Sequence, residues 1–583
     1  MNLSLPARWS VLRNVHALVL GLFLSVTLSR LTQSAAAATP APPVQLSQGP
    51  ASGIGGYPAA VSVSSVTPLI NLAHAPIRTE VEDDHAIPRL KDPEDLLSPL
   101  APAGSNEVDD NFGPSVSAQS PVAPANPIVS FSGIAYTRRI PPDPIIAAGP
   151  NHLIVAVNSD FAILSKSGGS IARISADAWF SNVLPAITTL GGAFDPQVIY
   201  DHTAGRWIVL YVASDQRAES WMLMSVSNGG DPTGQWCNIP LRGDVNGSSF
   251  AGNWADHPTL GLDSQALYIT TNQYQYATSD ERPFAYSKIR IIPKAQIYGG
   301  CVAPSYRDFW DLVDPISTTA RIGSVRPAIT FGTPGVEYLV SDSPFATSTY
   351  VTLWSLTNSS GQNPSLAAQN VPVTASTAPP NADQLGGSGG TSSCPAPCLI
   401  DTGDGRLQGA FYRNGSIWTT QGVAGGTSNA YSRVRYLRIA VTGSPTVLED
   451  VSFGADGCWY YYPAAAVDAN GRLGMVFTRS CTSEHAGVRY TGRAPFDATL
   501  QASALLKSGE ANYLNPEMKA SGMNRWGDYS GAAVDPTDPT KLWLFGEYAA
   551  SPAGLWGTWI GEVAIVPAAG APCFRCPRVI PFR

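Results

Sequence analysis

One motif occurs seven times between residues 143 and 549 of this 583-residue chain, and it limits the possible folds more than any other feature. Each copy has a short apolar strand, a turn, and a second apolar strand. Five of the seven copies carry proline at the second position. The copies are "DPIIAAGPNHLIVAVNS" (143–159), "DPQVIYDHTAGRWIVLYVAS" (195–214), "HPTLGLDSQALYITTNQY" (257–274), "RPAITFGTPGVEYLVSDS" (326–343), "LQGAFYRNGSIWTTQGV" (407–423), "YPAAAVDANGRLGMVFTRS" (462–480) and "YSGAAVDPTDPTKLWLFGEYA" (529–549).

Each copy predicts a β-hairpin. Proline can begin a strand because it has no ladder donor to lose, and the turn falls six positions after the first residue of every copy. The turn residues are Gly149, Asp201, Asp263, Gly332, Arg413, Asp468 and Asp535. Asp and Gly are typical turn residues, and we expect the turn aspartates to be structural.

The spacing of the copies predicts the architecture. Successive copies begin 52 to 81 residues apart, which leaves room for two further strands in each repeat. Repeated four-stranded units indicate an all-β, seven-bladed β-propeller. To close such a ring, Ile128–Tyr136 and Trp556–Val566 should lie in the same blade. One helix is predicted at "SADAWFSNVL", with Ser175 as its N-cap.

The N-terminal region predicts export. Arg8 and Arg13 precede the apolar run Ala17–Leu28, and small residues follow, so residues 1–38 are interpreted as a secretory signal peptide. An uncleaved anchor is the alternative, although this run is short for a membrane span. We expect an exported, monomeric protein without a membrane span in the mature chain, located in the periplasm or the medium.

The remaining domain boundaries follow from composition. Residues 39–126 are rich in Ala, Pro and Ser and are predicted to be a disordered arm or linker. The propeller spans 127–566, and residues 567–583 form a tail with a Cys-x-x-Cys motif. The formal net charge is −8 and no long basic run is present. Nucleic acid is therefore not an expected partner.

The eight cysteines favour disulfides, because an even number in an oxidising compartment indicates pairing. Cys458 and Cys481 lie at equal distances from the centre of the "DANG" turn, which predicts that they bridge a hairpin. Cys237 and Cys301 are expected to join neighbouring blades. Cys394 with Cys398, and Cys573 with Cys576, are expected to pair within their motifs; a zinc site is the alternative.

The chain resembles secreted bacterial β-propeller proteins of the sialidase-like or BNR-type superfamily, a group without an assigned activity. The segments that carry the resemblance are "PPDPIIAAGPNHLIVAVNS", "FDPQVIYD", "RWIVLYV", "SVSNGGDPTGQW", "WADHPTLGLDSQALYITTNQ" and "RWGDYSGAAVDP". They lie within residues 127–566. The Ser-x-Asp-x-Gly-x-Thr-Trp boxes of a sialidase are missing from the sequence, which argues against sialic acid hydrolysis.

The first strands of propeller blades line the central channel, so the residues that begin the copies should meet at one channel mouth. The predicted ligand-binding residues are Asp143, Asp195, Trp254, His257, Arg326, Arg406, Tyr461, Tyr462 and Trp526. Asp256 and Asp528 are the candidate catalytic pair, each near a tryptophan that could stack on a sugar ring. Arg326 and Arg406 could bind a carboxylate or sulfate.

Other roles for these residues remain open. Asp143, Asp195 and Asp256 could hold Ca²⁺, although no cofactor is expected, and the aspartates at strand starts could instead accept backbone N–H groups. His152 and His202 lie in hairpin turns and are interpreted as surface residues. The leading function is recognition of an extracellular glycan or protein surface. The alternatives are a glycoside hydrolase or other polysaccharide-degrading enzyme, and a non-catalytic envelope scaffold.

Overall fold

The computed structural model describes residues 45–66, 78–79, 106–110, 123–276, 282–387, 397–514 and 523–568. Leu46–Arg583 form one compact unit, and of the other unit, Met1–Gln45, only Gln45 is described. The predicted signal peptide and the Cys-x-x-Cys motif of the C-terminal tail lie outside the described residues. In the described ranges no helix is long and apolar enough to cross a membrane.

The described part of the chain is nearly all β, which confirms the all-β part of the predicted fold class. Its two α-helices have five residues each, Ala176–Phe180 and Lys294–Tyr298. The first helix was predicted, and the Ser175 side chain accepts a hydrogen bond from the backbone N–H of Ala178 as its N-cap. Short 3₁₀ turns lie at Val63–Ser65, Ile187–Leu190 and Thr427–Asn429.

Seven groups of four antiparallel strands, numbered sheets 1 to 7, follow one another along the described chain, and each contains one copy of the motif. The first strands of sheets 3, 4 and 5 also pair in parallel, which joins these three groups into one larger sheet. Sheet 1 has the strands Ile145–Ala148, His152–Val157, Asp160–Ser165 and Ser170–Ser175. Sheet 2 has Phe194–Asp201, Arg206–Ser214, Ser220–Ser227 and Gln235–Arg242. Sheet 3 has Asn253–Leu262, Ala266–Gln275, Phe284–Pro293 and Ser305–Trp310.

The last four sheets repeat this arrangement. Sheet 4 has Arg326–Thr330, Glu337–Asp342, Ser348–Thr357 and Ser365–Ser376. Sheet 5 has Leu407–Arg413, Ser416–Gly425, Tyr431–Ala440 and Thr446–Gly454. Sheet 6 has Cys458–Val467, Leu473–Cys481, Glu484–Arg493 and Ala504–Lys507. Sheet 7 has Gly531–Val534, Leu542–Ala550, Leu555–Val563 and Val129–Ala135.

The fourth strand of sheet 7 comes from the beginning of the ordered repeat region. Val129–Ala135 pairs antiparallel with Leu555–Val563, with Phe131 opposite Ile560. The prediction that these two segments share one sheet is therefore confirmed. This pairing joins the two ends of the repeat region by backbone hydrogen bonds.

The first strands of the seven sheets lie side by side. Each contacts the first strand of the next sheet, and the first strand of sheet 7 contacts that of sheet 1. All seven contribute to the wall of a narrow cavity of about 90 Å³. The wall is mostly apolar and includes Ile146, Val198, Leu260, Ile329 and Ala465.

The hairpin turns are held by their aspartates, as predicted. One carboxylate oxygen of Asp201 accepts the backbone N–H groups of Thr203 and Ala204. Asp263, Asp468 and Asp535 accept backbone N–H groups of their own turns in the same way. Such Asx turns need a short acidic or amide side chain, which explains why aspartate recurs at this place in the repeat.

Four described stretches of the predicted disordered arm are strands, Arg78–Thr79 among them, and for these stretches the prediction is wrong. Gln48–Ile54 pairs with the outer strand of sheet 3, and Ala59–Ser62 pairs with that of sheet 2. Asn106–Asp109 pairs in parallel with the outer strand of sheet 5. The pairing uses backbone groups that every edge strand exposes, so a segment with few apolar side chains can still be ordered.

Two predicted disulfides are confirmed. Cys458 and Cys481 are directly opposite in the hairpin of sheet 6 and are bonded to each other. Cys237 of sheet 2 is bonded to Cys301, which precedes the last strand of sheet 3. Cys398 is also disulfide-bonded, whereas Cys394, Cys573 and Cys576 lie outside the described residues. These bonds are consistent with an exported protein.

Three further pairings each join two strands of two residues. Val245–Asn246 pairs with Ser249–Phe250. Leu399–Ile400 pairs in parallel with Met523–Asn524, which brings two distant loops together. Arg78–Thr79 pairs in parallel with Arg139–Ile140.

Candidate functional site

Four residues in or just before the first strands have an unusual backbone conformation with positive φ. Asp143, Asp195, His257 and Tyr462 each precede proline and have φ values of 50°, 51°, 48° and 48°. Positive φ is uncommon outside glycine, although Asp and His adopt it more often than most residues. In the first strands that contain Asp195, His257 and Tyr462, the strand register shifts at these residues. In sheet 4 the positive φ is instead at Ser324, two residues before Arg326.

Hydrogen bonds between neighbouring sheets hold these bulges. The backbone N–H of Asp528 donates to Asp143 Oδ1 at 2.6 Å, and the backbone N–H of His257 donates to Asp195 Oδ2 at 2.9 Å. Asn158 connects the first two bulges, because its side-chain NH₂ donates to Asp143 and its oxygen accepts the N–H of Asp195. Asn272 accepts the N–H of Ser324 in the same manner.

These contacts give Asp143 and Asp195 a structural explanation. Both residues are almost fully buried, at 1% and 2% exposure, and their carboxylates accept backbone N–H groups of the adjacent sheet. This matches the alternative role set out for aspartates at strand starts. A strained backbone persists where the surrounding contacts hold it in place, and these two carboxylates provide such contacts.

His257, Arg326 and Tyr529 form a buried chain of hydrogen bonds at the same end of the strands. Arg326 Nη2 lies 2.5 Å from His257 Nε2, and Tyr529 Oη lies 2.8 Å from His257 Nδ1. A guanidinium can only donate, so Nε2 accepts and Nδ1 carries the proton. Burial, together with the charges of Arg326, Arg406 and Arg525, lowers the pKa of His257 well below its ordinary value, so the imidazole is neutral at pH 7.

Asp528 is held by an arginine that the sequence analysis did not select. Arg525 donates to both carboxylate oxygens of Asp528, at 2.5 Å and 2.9 Å, and also contacts Asp401 at 3.4 Å. Burial alone would raise the pKa of Asp528, but attraction to Arg525, hydrogen bonds from Arg525 and attraction to Arg406 lower it. The carboxylate is therefore ionised at neutral pH.

Arg406 also forms an ion pair, and its partner Asp404 lies three positions after Asp401. Its guanidinium donates to both oxygens of Asp404, at 2.8 Å and 2.7 Å. The segment "DTGDGR" makes two consecutive Asx turns, in which Asp401 accepts the N–H of Gly403 and Asp404 accepts that of Arg406. Gly403 and Gly405 have φ values of 83° and 82°, so glycine is required at these turns.

We refer to Asp401, Asp404, Arg406, Arg525 and Asp528 as the mouth cluster. Their side chains are between 14% and 18% exposed, so they are held in place yet still reach solvent. The hydroxyl of Tyr462 lies 3.5 Å from Asp528 Oδ1 beneath them. The cluster presents three carboxylates and two guanidiniums, each already oriented by an ion pair.

The other predicted site residues are buried. Trp254 is in the core between sheets 2 and 3 and packs on Tyr274. Trp526 packs on Tyr461 and Tyr513, with its indole N–H towards Thr478. The exposures of Trp254 and Trp526 are 0% and 1%, so the expected stacking of a sugar on these rings has no open face here. Tyr461 is fully buried and Asp256 is 3% exposed, opposite Asn272.

The site therefore contains part of the predicted set and some residues that were missed. His257, Arg326, Arg406, Tyr462 and Asp528 meet at one end of the first strands. Arg525, Asp401 and Asp404 were not predicted. The Asp-Gly pair in "DTGDGR" was an available turn signal, but nothing in the sequence placed it beside "NRWGDYS". Among the described residues, no group of three or more His, Cys, Asp or Glu side chains could hold a metal ion.

Comparisons with known proteins assign no family. No family model and no curated protein matches the chain. Solved structures with some similarity include a Hadza microbial sialidase, Hz136, at 12% identity and a TM-score of 0.34, covering 71% of this chain and 74% of the sialidase. A protein of unknown function from Dyadobacter fermentans has 10% identity and a TM-score of 0.35, with coverage of 76% and 99%.

A third similar structure is the GH93 α-L-arabinofuranosidase of Fusarium graminearum, in complex with arabinobiose. Its identity is 12% and its TM-score 0.31, with coverage of 75% of this chain and 98% of the enzyme. At these identities and scores, the similar structures give this chain neither an activity nor a ligand.

Proposed function

We propose that the seven sheets are the blades of a closed seven-bladed β-propeller, which is exported and binds an extracellular glycan at the mouth cluster. The circular contacts of the first strands and the shared sheet of Val129–Ala135 and Leu555–Val563 support the closed ring. The observation that carries the binding proposal is the arrangement of partly exposed, pre-paired Arg and Asp side chains at one end of the first strands.

The chemistry of this cluster suits a hydroxylated ligand. Each sugar hydroxyl can both donate and accept a hydrogen bond. A carboxylate next to a guanidinium therefore offers an acceptor and a donor to the same hydroxyl or to two adjacent ones. Because Arg525 and Asp528 already fix each other, less side-chain freedom is lost when a ligand binds. The cluster has charges of both signs and so does not require an anionic sugar.

Glycoside hydrolysis remains a second candidate because the pKa of Asp528 is lowered, whereas the pKa of the neighbouring Glu547 is raised. A hydrolase needs one ionised and one protonated carboxyl group. Burial raises the pKa of Glu547 well above its ordinary value, and its carboxylate oxygen accepts the N–H of Gly527 at 2.9 Å. Glu547 is only 1% exposed beneath this backbone, so it does not face a ligand at the mouth. The geometry thus favours binding over catalysis.

The test compares binding and turnover on the same glycans. The wild-type protein is applied to a panel of neutral and acidic polysaccharides, and titration calorimetry then measures the affinity for any glycan that binds. Arg525→Gln and Asp528→Asn should each weaken binding about tenfold, because each removes a charge-assisted hydrogen bond. Asp538→Asn, at a hairpin turn away from the mouth, is the matched control.

The outcomes separate the three function classes. Binding without product, weakened in the mouth variants alone, supports the recognition proposal. Release of sugar fragments that is lost in both Asp256→Asn and Asp528→Asn would instead establish the predicted hydrolase. If no glycan binds and an extracellular protein binds away from the mouth, the protein is a scaffold and the proposal is wrong.

A further inference from the structure

A second cavity lies at the opposite end of the first strands, where the hairpin turns are. Its volume is about 310 Å³, and its wall combines the ends of these strands with the turns of several sheets. Most of the wall is apolar, including Ile146, Val198, Phe411 and Pro539. Cavities of about this size or larger, lined by apolar groups with a few polar ones, are typical small-molecule sites.

His202, Phe331 and Arg413 form a stack in the wall of this cavity. The imidazole of His202 stacks on the Phe331 ring, with centroids 4.5 Å apart and planes at 20°. The guanidinium carbon of Arg413 lies 4.0 Å from the centroid of the same ring. His202 lies in the hairpin turn, where the sequence predicted a surface residue, and it is half-buried in this stack.

The guanidinium of Arg413 has no hydrogen-bond or ion-pair partner among the residues that the structure describes. Its Nε is buried without an acceptor. The guanidinium is thus positioned by its cation–π contact with Phe331. None of its N–H groups donates to a described residue. A partly buried cation without an acceptor is unfavourable on its own, and an anion in the cavity would remove this cost.

Nearby carboxylates do not satisfy Arg413. Asp468 attracts it without a hydrogen bond: one oxygen of Asp468 is bound by the N–H groups of Asn470 and Arg472, and the other is buried without a hydrogen-bond partner, 3.9 Å from Arg472 Nε. Asp535, also in the cavity wall, is paired with Lys166 at 2.7 Å. Each of these acids thus has another cationic partner.

We propose that this second cavity binds a small carboxylate with an apolar body. The carboxylate accepts the hydrogen bonds of Arg413, and the apolar body lies against the strand ends and the Phe331 ring. A guanidinium binds a carboxylate through two parallel hydrogen bonds, which suits a planar anion. This proposal is independent of the glycan site, since the two sites share no residue and lie at opposite ends of the first strands.

The experiment uses three probes that separate charge from apolar contact. Benzoate has both features, benzamide has the same shape without the charge, and acetate has the charge without the ring. Calorimetric titration of the full-length exported protein should give saturable binding of benzoate that is about tenfold or more tighter than that of benzamide. Acetate should bind more weakly than benzoate, because it buries almost no apolar surface.

Two variants test the role of Arg413. Arg413→Gln should reduce benzoate affinity to that of benzamide, whereas Lys541→Gln, which removes a positive charge from the turn that follows Pro539, should leave it unchanged. The melting temperature of Arg413→Gln without ligand should change little, because removal of a partly buried cation without an acceptor offsets the loss of its cation–π contact with Phe331. Equal affinity for benzoate and benzamide, no saturable binding of benzoate, or unchanged benzoate binding in Arg413→Gln would overturn the proposal.

Discussion

The carboxylate of Asp110 lies 3.3 Å from the guanidinium of Arg479, although 369 positions separate the two residues. Asp110 directly follows the N-terminal strand that pairs with sheet 5, and Arg479 belongs to sheet 6. The carboxylate also accepts hydrogen bonds from Tyr460 and from both the backbone N–H and the hydroxyl of Ser503. The N-terminal segment is thus fixed in the groove between two sheets by a buried ion pair.

Removal of this pair should destabilise the protein strongly. The side chains of Asp110 and Arg479 are 0% and 2% exposed, so Asp110→Ala would leave a buried guanidinium with one fewer partner. We expect a loss of about 3 kcal/mol in the free energy of unfolding, measured by denaturant unfolding monitored by circular dichroism.

A neighbouring pair provides the control for this prediction. Glu107 lies in the same strand and contacts Arg433 at 3.1 Å, but its side chain is 44% exposed. Glu107→Ala should therefore change the free energy of unfolding by less than about 1 kcal/mol. Similar losses for the two variants would show that strand pairing, and not the buried carboxylate, holds the segment.

Asp195 should act in stability and not in ligand binding. Asp195→Ala would leave the buried backbone N–H of His257 without its acceptor, at a cost of about 1–3 kcal/mol in the free energy of unfolding. Asp195→Asn retains an acceptor oxygen and should cost less. Asp231→Ala, which removes an exposed turn acceptor of Thr233, is the control. Weaker glycan binding by folded Asp195→Asn would contradict this assignment.

The buried Lys288 should make the free energy of unfolding depend on pH. Burial, together with repulsion from Arg290, lowers the pKa of Lys288 from 10.5 to about 7, and its ammonium donates to the backbone oxygens of Gly243 and Val245. Between pH 7 and 10.5 the unfolded chain binds this proton and the folded protein releases it. Stability from this group therefore rises with pH from about 7 upwards and is constant below that range.

The measurement is denaturant unfolding of wild type and Lys288→Met at pH 7 and pH 9. The wild type should gain about 2 kcal/mol relative to the variant over this interval. Lys541→Met, at a lysine that is 32% exposed, should follow the wild type at both pH values. A constant difference between wild type and Lys288→Met at the two pH values would refute the predicted titration.

The sequence was sufficient for features that depend on local repetition. The turn aspartates such as Asp201 recur because four of the seven hairpins use the same backbone acceptor. The Cys458–Cys481 bond follows from simple counting outward from one turn, and the regular hairpin register makes that counting valid.

Long-range contacts of segments outside the repeated motif were beyond sequence reasoning. The N-terminal strands use backbone hydrogen bonds, which leave no pattern of apolar side chains. Arg525 contacts Asp401 from 124 positions away, through loops that lie outside the repeated motif. Trp254 was expected to stack on a sugar ring because it lies near Asp256, but it packs between two sheets, a position that only the tertiary arrangement determines.

The two confirmed disulfides should differ in their contribution to stability because they close loops of different length. Cys237 and Cys301 are separated by 64 positions, and Cys458 and Cys481 by 23. A longer loop loses more conformational entropy in the unfolded chain when it is closed. The double variant Cys237→Ala/Cys301→Ala should therefore lose about 1 kcal/mol more unfolding free energy than Cys458→Ala/Cys481→Ala. Unfolding of both variants in denaturant checks this order. A larger loss in the hairpin variant would show that packing around Cys458 and Cys481, and not loop closure, dominates the effect.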